Sequence, residues 1–246
     1  MATFVLVPGA WHASWCWERV IPLLTAKGHK AIAPDLLATG ADPTPPENVT
    51  LAGWADQIAD IVRAEPDPVI LVGHSRGGLV ISETAERVPD NIDSLVYVTA
   101  FLLLDGQTLL GSRRSGTDDG DSILVAGPQN TTTFPPGHVT PVLYNTTPPE
   151  WALRAASLMG PEPMDAFTAP LTVTADRFGR VPRAYIECTG DRAIAIAVQR
   201  SFQAQSPCSP VVTLATDHSP FYSAPDDLAE ALCAVAAGRP HGAGRG

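Results

Sequence analysis

Basic residues are scarce: 16 Lys and Arg stand against 26 Asp and Glu, a formal net charge of -10. That balance gives no electrostatic grip on nucleic acid or on an anionic membrane surface. No local cluster of Lys and Arg offsets it. Long apolar runs are missing too, since none reaches the roughly 18 residues that a membrane span requires. The opening "MATFVLVPGAWHASW" has no basic leader and no cleavage site, which predicts a protein without a signal peptide. Only four cysteines occur, Cys16, Cys188, Cys208 and Cys233, and their spacing suits neither a metal site nor a CxxC pair. They predict reduced thiols in a cytoplasmic protein. In that setting the Asn-x-Thr sequons at Asn48, Asn130 and Asn145 are expected to be chance matches. What remains is a chain that acts on a small molecule or another protein, with a homodimer compatible with either.

The 246 residues suffice for one large α/β domain or two small ones, and 45% apolar content can fill a substantial core. Short apolar runs alternate with amphipathic stretches. "TFVLVPG", "KAIAPD", "PVILVG", "SLVYVTAF", "RAYIECTG" and "VVTLAT" have the character of strands. Between them, "SWCWERVIPLLTAKG", "LAGWADQIADIVRA" and the segments 76–88, 195–205 and 225–237 predict helices. This order predicts a mostly parallel sheet flanked by helices on both faces. Residues 1–103 and 176–238 carry the pattern. Across 104–175 it breaks down: "SGTDDGDS" and "GPQNTTTFPPG" predict exposed loops, and only "PPEWALRAASLMG" predicts a helix. A loop-rich insertion of this length is expected to be a cap or, more blandly, a surface excursion. Residues 239–246 are expected to be a flexible tail.

One junction stands out. Gly73-His74-Ser75-Arg76-Gly77 matches G-x-S-x-G, with an apolar strand before it and a helix after it. In such a turn the serine hydroxyl is lifted above the strand ends, and side chains at the glycine positions would clash. The same serine could instead be a helix N-cap. A phosphate loop fits less well, because neither Gly-Lys-Ser/Thr nor G-x-G-x-x-G is present. A nucleophilic serine needs a histidine base and an acid to orient it, in the chain order Ser, acid, His. After Ser75 only His138, His218 and His241 remain. His218 is the one placed between a strand and the last helix. Asp191, closing "RAYIECTGD", is the preferred acid, and Asp105 after "SLVYVTAF" is the alternative. Asp217 adjoins the histidine and is expected to point elsewhere. The loop "VPGAWHASW" and the start of the helix after Ser75 suggest the amides of Ala10 and Arg76 as oxyanion donors. Trp11, Phe101, Leu103, Trp151 and Phe221 are candidates for apolar pocket walls, and His12 for substrate contact or for support behind the loop.

Taken together, these residues resemble the α/β-hydrolase superfamily. The nearer likeness is to plant methyl-ester esterases of the salicylate-binding protein 2 type, hydroxynitrile lyases and related bacterial esterases. It runs from "FVLVPGAWHASWCWERVIPLLTAKGHKAIAPDLLATG" to "VILVGHSRGG" and resumes at "DRFGRVPRAYIECTGDRAI" and "DHSPFYSAPDDLAEAL". The resemblance implies Ser75, Asp191 and His218 as triad, Ala10 and Arg76 as oxyanion positions, an inserted cap, and no metal or organic cofactor. Two departures favour ester hydrolysis over cyanohydrin cleavage. The lyases carry threonine where this chain has Gly9 and lysine where it has Ser219. Pro8 also stands where many relatives have histidine, and the cap matches the plant enzymes poorly, so substrate identity does not carry over. Three functions stay open on sequence: a hydrolase of small carboxylic esters; a thioesterase, lactone enzyme or C–C hydrolase using the same residues; and a ligand-binding protein on a hydrolase scaffold.

Overall fold

The computed structural model describes residues 1–115 and 125–238. The tail from 239 and most of "SGTDDGDS" lie outside the described residues. In chain order the elements begin β1 (Thr3–Val7), α1 (Val20–Ala26), β2 (Lys30–Ile32), α2 (Leu51–Arg63), β3 (Val69–His74), α3 (Gly77–Arg87) and β4 (Ile92–Val98). An inserted region follows with α4 (Leu109–Ser115), β5 (Val125–Ala126), β6 (Thr131–Thr133), α5 (Pro136–His138), α6 (Pro149–Leu158), β7 (Glu162–Pro163) and α7 (Asp165–Thr168). The chain then returns through β8 (Arg183–Cys188), α8 (Ile196–Gln205), β9 (Val211–Leu214), α9 (Pro220–Ser223) and α10 (Pro225–Ala237).

Six strands form one parallel sheet in the order β2-β1-β3-β4-β8-β9. Every residue of β3 is buried, as expected of a central strand covered on both faces. The amphipathic α2 buries Trp54, Ile58 and Val62, and Thr50 caps it by accepting the Gly53 N–H at 3.0 Å. Strand order reverses between β1 and β3, and in such sheets the crevice at that switch point is where ligands bind. The loops after β1, β3, β8 and β9 all open at this C-terminal edge. No helix among the described residues is long and apolar enough to cross a membrane.

Two local expectations are corrected. The helix expected across "SWCWERVIPLLTAKG" splits into a 3₁₀ turn at Ser14–Trp17 and α1. Pro22 is the reason: lacking an N–H, it fits only the first turn, so the α-helix starts at Val20. "GPQNTTTFPPG" is an exposed loop only in part: residues 128–130 and 136–137 are exposed. Thr131 and Thr132 are buried in β6, the middle strand of a small antiparallel sheet β5-β6-β7. Gln129 and Asn130, at φ 54° and 55°, make the tight turn that folds β5 onto β6.

Beneath the C-terminal edge lies a layer of buried histidines. His74, the last residue of β3, donates its Nε2–H to the His218 carbonyl at 2.7 Å. His12 donates Nδ1–H to the Ala10 carbonyl at 2.6 Å, leaving Nε2 to accept the Tyr144 hydroxyl at 2.5 Å. A carbonyl only accepts, so both tautomers are fixed. Burial, with the positive Arg76 guanidinium adding to it, lowers the His12 pKa to about 4, and burial likewise holds His74 well below the ordinary histidine range.

An unfolded histidine takes up its proton near pH 6.5, whereas folded His12 does so only near pH 4. Between those values the unfolded chain binds more protons, so stability falls as pH falls through that window. His12 alone accounts for a loss of about 3 kcal/mol by its lower edge. Urea unfolding measured from pH 7.5 to 4.5 is expected to show this slope, and His12→Asn to flatten it; an unchanged slope in the variant would refute the assignment.

Candidate active site

The β3–α3 junction is a sharp turn centred on Ser75, whose φ is 52°, in the left-handed region that non-glycine residues rarely occupy. Three backbone bonds hold it: Ser75 N–H to Val98 O at 3.3 Å, and Gly78 and Phe101 N–H to Ser75 O at 3.1 and 3.0 Å. The flanking glycines are required by close approach. A Cβ on Gly73 would lie 2.7 Å from the Gly77 carbonyl oxygen, and one on Gly77 would lie 2.8 Å from that of Pro8.

The turn presents Ser75 Oγ to His218 Nε2 at 3.0 Å, and His218 Nδ1 lies 2.7 Å from Asp191 Oδ2. A carboxylate accepts only, so the imidazole proton is on Nδ1 and Nε2 offers a lone pair to the serine hydroxyl. Asp191 follows β8 and His218 follows β9. Asp191 is buried yet fully satisfied. Oδ1 accepts the amides of Ala193 and Ile194 at 2.6 and 2.9 Å, and Oδ2 also accepts the Thr99 hydroxyl. Thr99 went unrecognised in the sequence, although a polar residue ending a strand beside the acid's strand is a usable signal. Asp105 turns away to accept the Val173 amide at 3.0 Å and takes no part in this chain of contacts. Asp217 also points elsewhere: its carboxylate accepts from Thr146 N, Thr147 Oγ1, Ser219 N and Ser223 Oγ.

Ala10 and Arg76 border the same cavity as Ser75 and His218. Among the described residues no protein acceptor takes the backbone N–H of either. The Arg76 side chain is unexpectedly fully buried, with Nε 2.6 Å from Oε1 of an equally buried Glu162. Sequence reasoning missed Glu162, a carboxylate inside a segment with no periodic pattern. No group of three or more His, Cys, Asp or Glu suited to a metal ion occurs among the described residues.

The cavity holds ≈ 330 Å³ of non-atom space with the open solvent at its mouth included. Trp11 and Phe101 line it as expected, and four unpredicted side chains, Leu109, Phe134, Leu143 and Phe167, join them from the inserted region. Among the described residues no carboxylate lines it. Trp11 is fixed by its indole N–H, which donates to Thr132 O at 3.2 Å. The other candidate wall residues lie elsewhere. Leu103 is buried in the core. Trp151 packs on Tyr222, 5.1 Å between centroids, under the Arg19 guanidinium. Phe221 lies beneath the site, edge-on to His74 at 5.0 Å. His12 supports the oxyanion loop from behind and borders a neighbouring cavity instead.

The chain and its fold are similar to those of known proteins. Methyl jasmonate esterase 1 of Vitis vinifera is 32% identical over 242 residues, covering 92% of this chain and 93% of its own. A pyrethroid hydrolase from Sphingobium faniae superposes with a TM-score of 0.85 at 29% identity, over 96% of this chain and 98% of that one. A methylesterase from Arabidopsis gives 0.83 at 28% identity, over 96% and 99%. The model of the alpha/beta hydrolase family matches residues 4–231, from the first strand into the last helix. A match of that extent, over a parallel sheet whose C-terminal edge gathers serine, histidine and aspartate, places this chain in the α/β hydrolase family.

Proposed function

We propose that the protein hydrolyses small, neutral carboxylic esters with Ser75 as nucleophile, His218 as general base and acid, and Asp191 as its orienting carboxylate. The observation that carries this reading is the continuous Ser75–His218–Asp191 chain of contacts opening on an apolar cavity beside two amides that no acceptor among the described residues engages. Ser75 Oγ attacks the ester carbonyl carbon while its proton passes to His218 Nε2. The carbonyl oxygen becomes an oxyanion held by the Ala10 and Arg76 N–H groups. On collapse the C–O bond to the alcohol breaks, and His218 returns the proton to the leaving oxygen. Water then attacks the acyl-enzyme with His218 again taking the proton, which releases the acid and restores Ser75.

The inserted residues 104–175 act as a cap, since they bring Leu109, Phe134, Leu143 and Phe167 to the cavity. Among the described residues these apolar walls offer no partner to a charged substituent, whose desolvation would go uncompensated. Cyanohydrin cleavage is disfavoured on packing grounds. A side chain at Gly9 would place its Cβ 2.6 Å from His74 Nδ1 and 2.9 Å from Ser75 Cβ, which leaves no room for threonine. The four cysteines are free, which suits a reducing compartment, and on that ground we assign the enzyme to the cytoplasm.

With p-nitrophenyl acetate, Ser75→Ala is expected to lower kcat by about 10⁶-fold and Asp191→Asn by about 10⁴-fold, the aspartate variant by misorienting the His218 tautomer. Thr99→Val, which loosens Asp191 without removing it, should lower kcat about tenfold. Substantial turnover by Ser75→Ala would overturn the proposal, and faster turnover of thioesters or lactones than of esters would redirect it to those substrates. Across an acyl-length series, kcat/KM is expected to peak at short chains and to shift toward longer ones in Phe134→Ala; an unchanged optimum would remove Phe134 from the pocket wall.

A further inference from the structure

The Arg76–Glu162 pair takes no part in moving protons, yet both side chains are completely buried. The guanidinium lies over the Trp54 ring, 4.3 Å from its centroid. Its Nη2 donates to the Gly9 carbonyl at 3.1 Å, and Glu162 Oε2 accepts the Trp11 N–H at 3.1 Å. Burial disfavours both charges, pulling the Arg76 pKa down and pushing that of Glu162 up. Apolar replacements of such a pair are often as stable or more so. Stability alone therefore does not account for it.

What the pair holds does account for it. The Gly9 C=O and the Ala10 N–H are opposite ends of one planar peptide unit, so fixing the carbonyl fixes the direction of the N–H. The other oxyanion donor is the backbone N–H of Arg76 itself. One residue thus sets both donors, the first through its backbone and the second through its side chain. A cation on the Gly9 carbonyl also polarises that peptide, which makes its N–H a stronger donor. Glu162 anchors the next peptide at Trp11, whose φ of 62° turns the loop back over the site.

We propose that Arg76 and Glu162 are positioning residues for the oxyanion hole and that, because Glu162 stands on β7, seating of the inserted region completes the hole. The inference rests on the hydrolase reading above. It separates the pair's effect on rate from its effect on stability, and the double variant Arg76→Met/Glu162→Leu tests that separation. The variant should keep the wild-type melting temperature or exceed it. With p-nitrophenyl acetate its kcat should fall 10- to 100-fold with KM within threefold, since a misplaced donor costs less than the roughly 10²–10³ lost with a deleted one. A trifluoromethyl ketone, which adds Ser75 to form an oxyanion, should bind weaker by the same factor. The corresponding planar amide should bind as before.

Glu162→Gln can keep an acceptor for the Trp11 N–H only by turning its amide NH2 toward Arg76 Nε, so it breaks the ion pair while preserving size, and a loss of about tenfold is expected there. If the double variant fails to fold, the same measurements on Glu162→Gln decide. Wild-type kcat in the folded variants, or equal loss of ketone and amide binding, would overturn the inference. If the wild-type protein itself neither turns over the ester nor binds the ketone, the hydrolase reading fails instead.

Discussion

The left-handed backbone at Ser75 is the constraint on which the rest of the site depends. Holding a non-glycine residue there costs about 1–2 kcal/mol, and the surrounding structure offsets it with hydrogen bonds to β4 and to Phe101 and with two glycines that let neighbouring backbone approach. The bend puts the hydroxyl at the C-terminal edge of the sheet. Because β8 and β9 are parallel to β3 and end at the same edge, the loops that follow them deliver Asp191 and His218 there. A parallel sheet makes this convergence a matter of topology rather than of loop conformation.

Around that point the protein buries an unusual number of titratable groups and resolves each differently. His12 and His74 are neutral, each pinned by a backbone carbonyl. Asp191 is matched by two amides, a hydroxyl and an imidazole N–H, so each oxygen is satisfied. Arg76 and Glu162 face one another, Nε to Oε1 at 2.6 Å, so that each offsets the other's burial. In a water-poor setting each fixed dipole acts strongly on its neighbours, which is the condition under which two backbone amides can stabilise an oxyanion.

Much of this was legible in the sequence. Strand-to-turn punctuation marked Ser75, and placement at strand ends singled out Asp191 and His218, because a parallel sheet converts position along the chain into position at one edge. The alternation of strands and helices set the sheet itself. The inserted region resisted reading for a physical reason: its strands are two or three residues long, too short for any period. Thr131–Thr133 therefore looked like loop, while Phe134, Phe167 and Glu162 had no pattern to mark them. Aromatic type was a poor guide to pocket walls. Trp151 and Phe221 pack against Tyr222 and beneath His74, since large aromatic side chains fill the core as readily as they line a pocket.

The central claim is that Ser75 is a nucleophile activated by His218. Treatment of the folded protein with a fluorophosphonate, followed by peptide mapping, tests it most directly. The account predicts a single adduct on Ser75 that a competing short-chain ester suppresses. Folded protein that carries no adduct at Ser75 would contradict it.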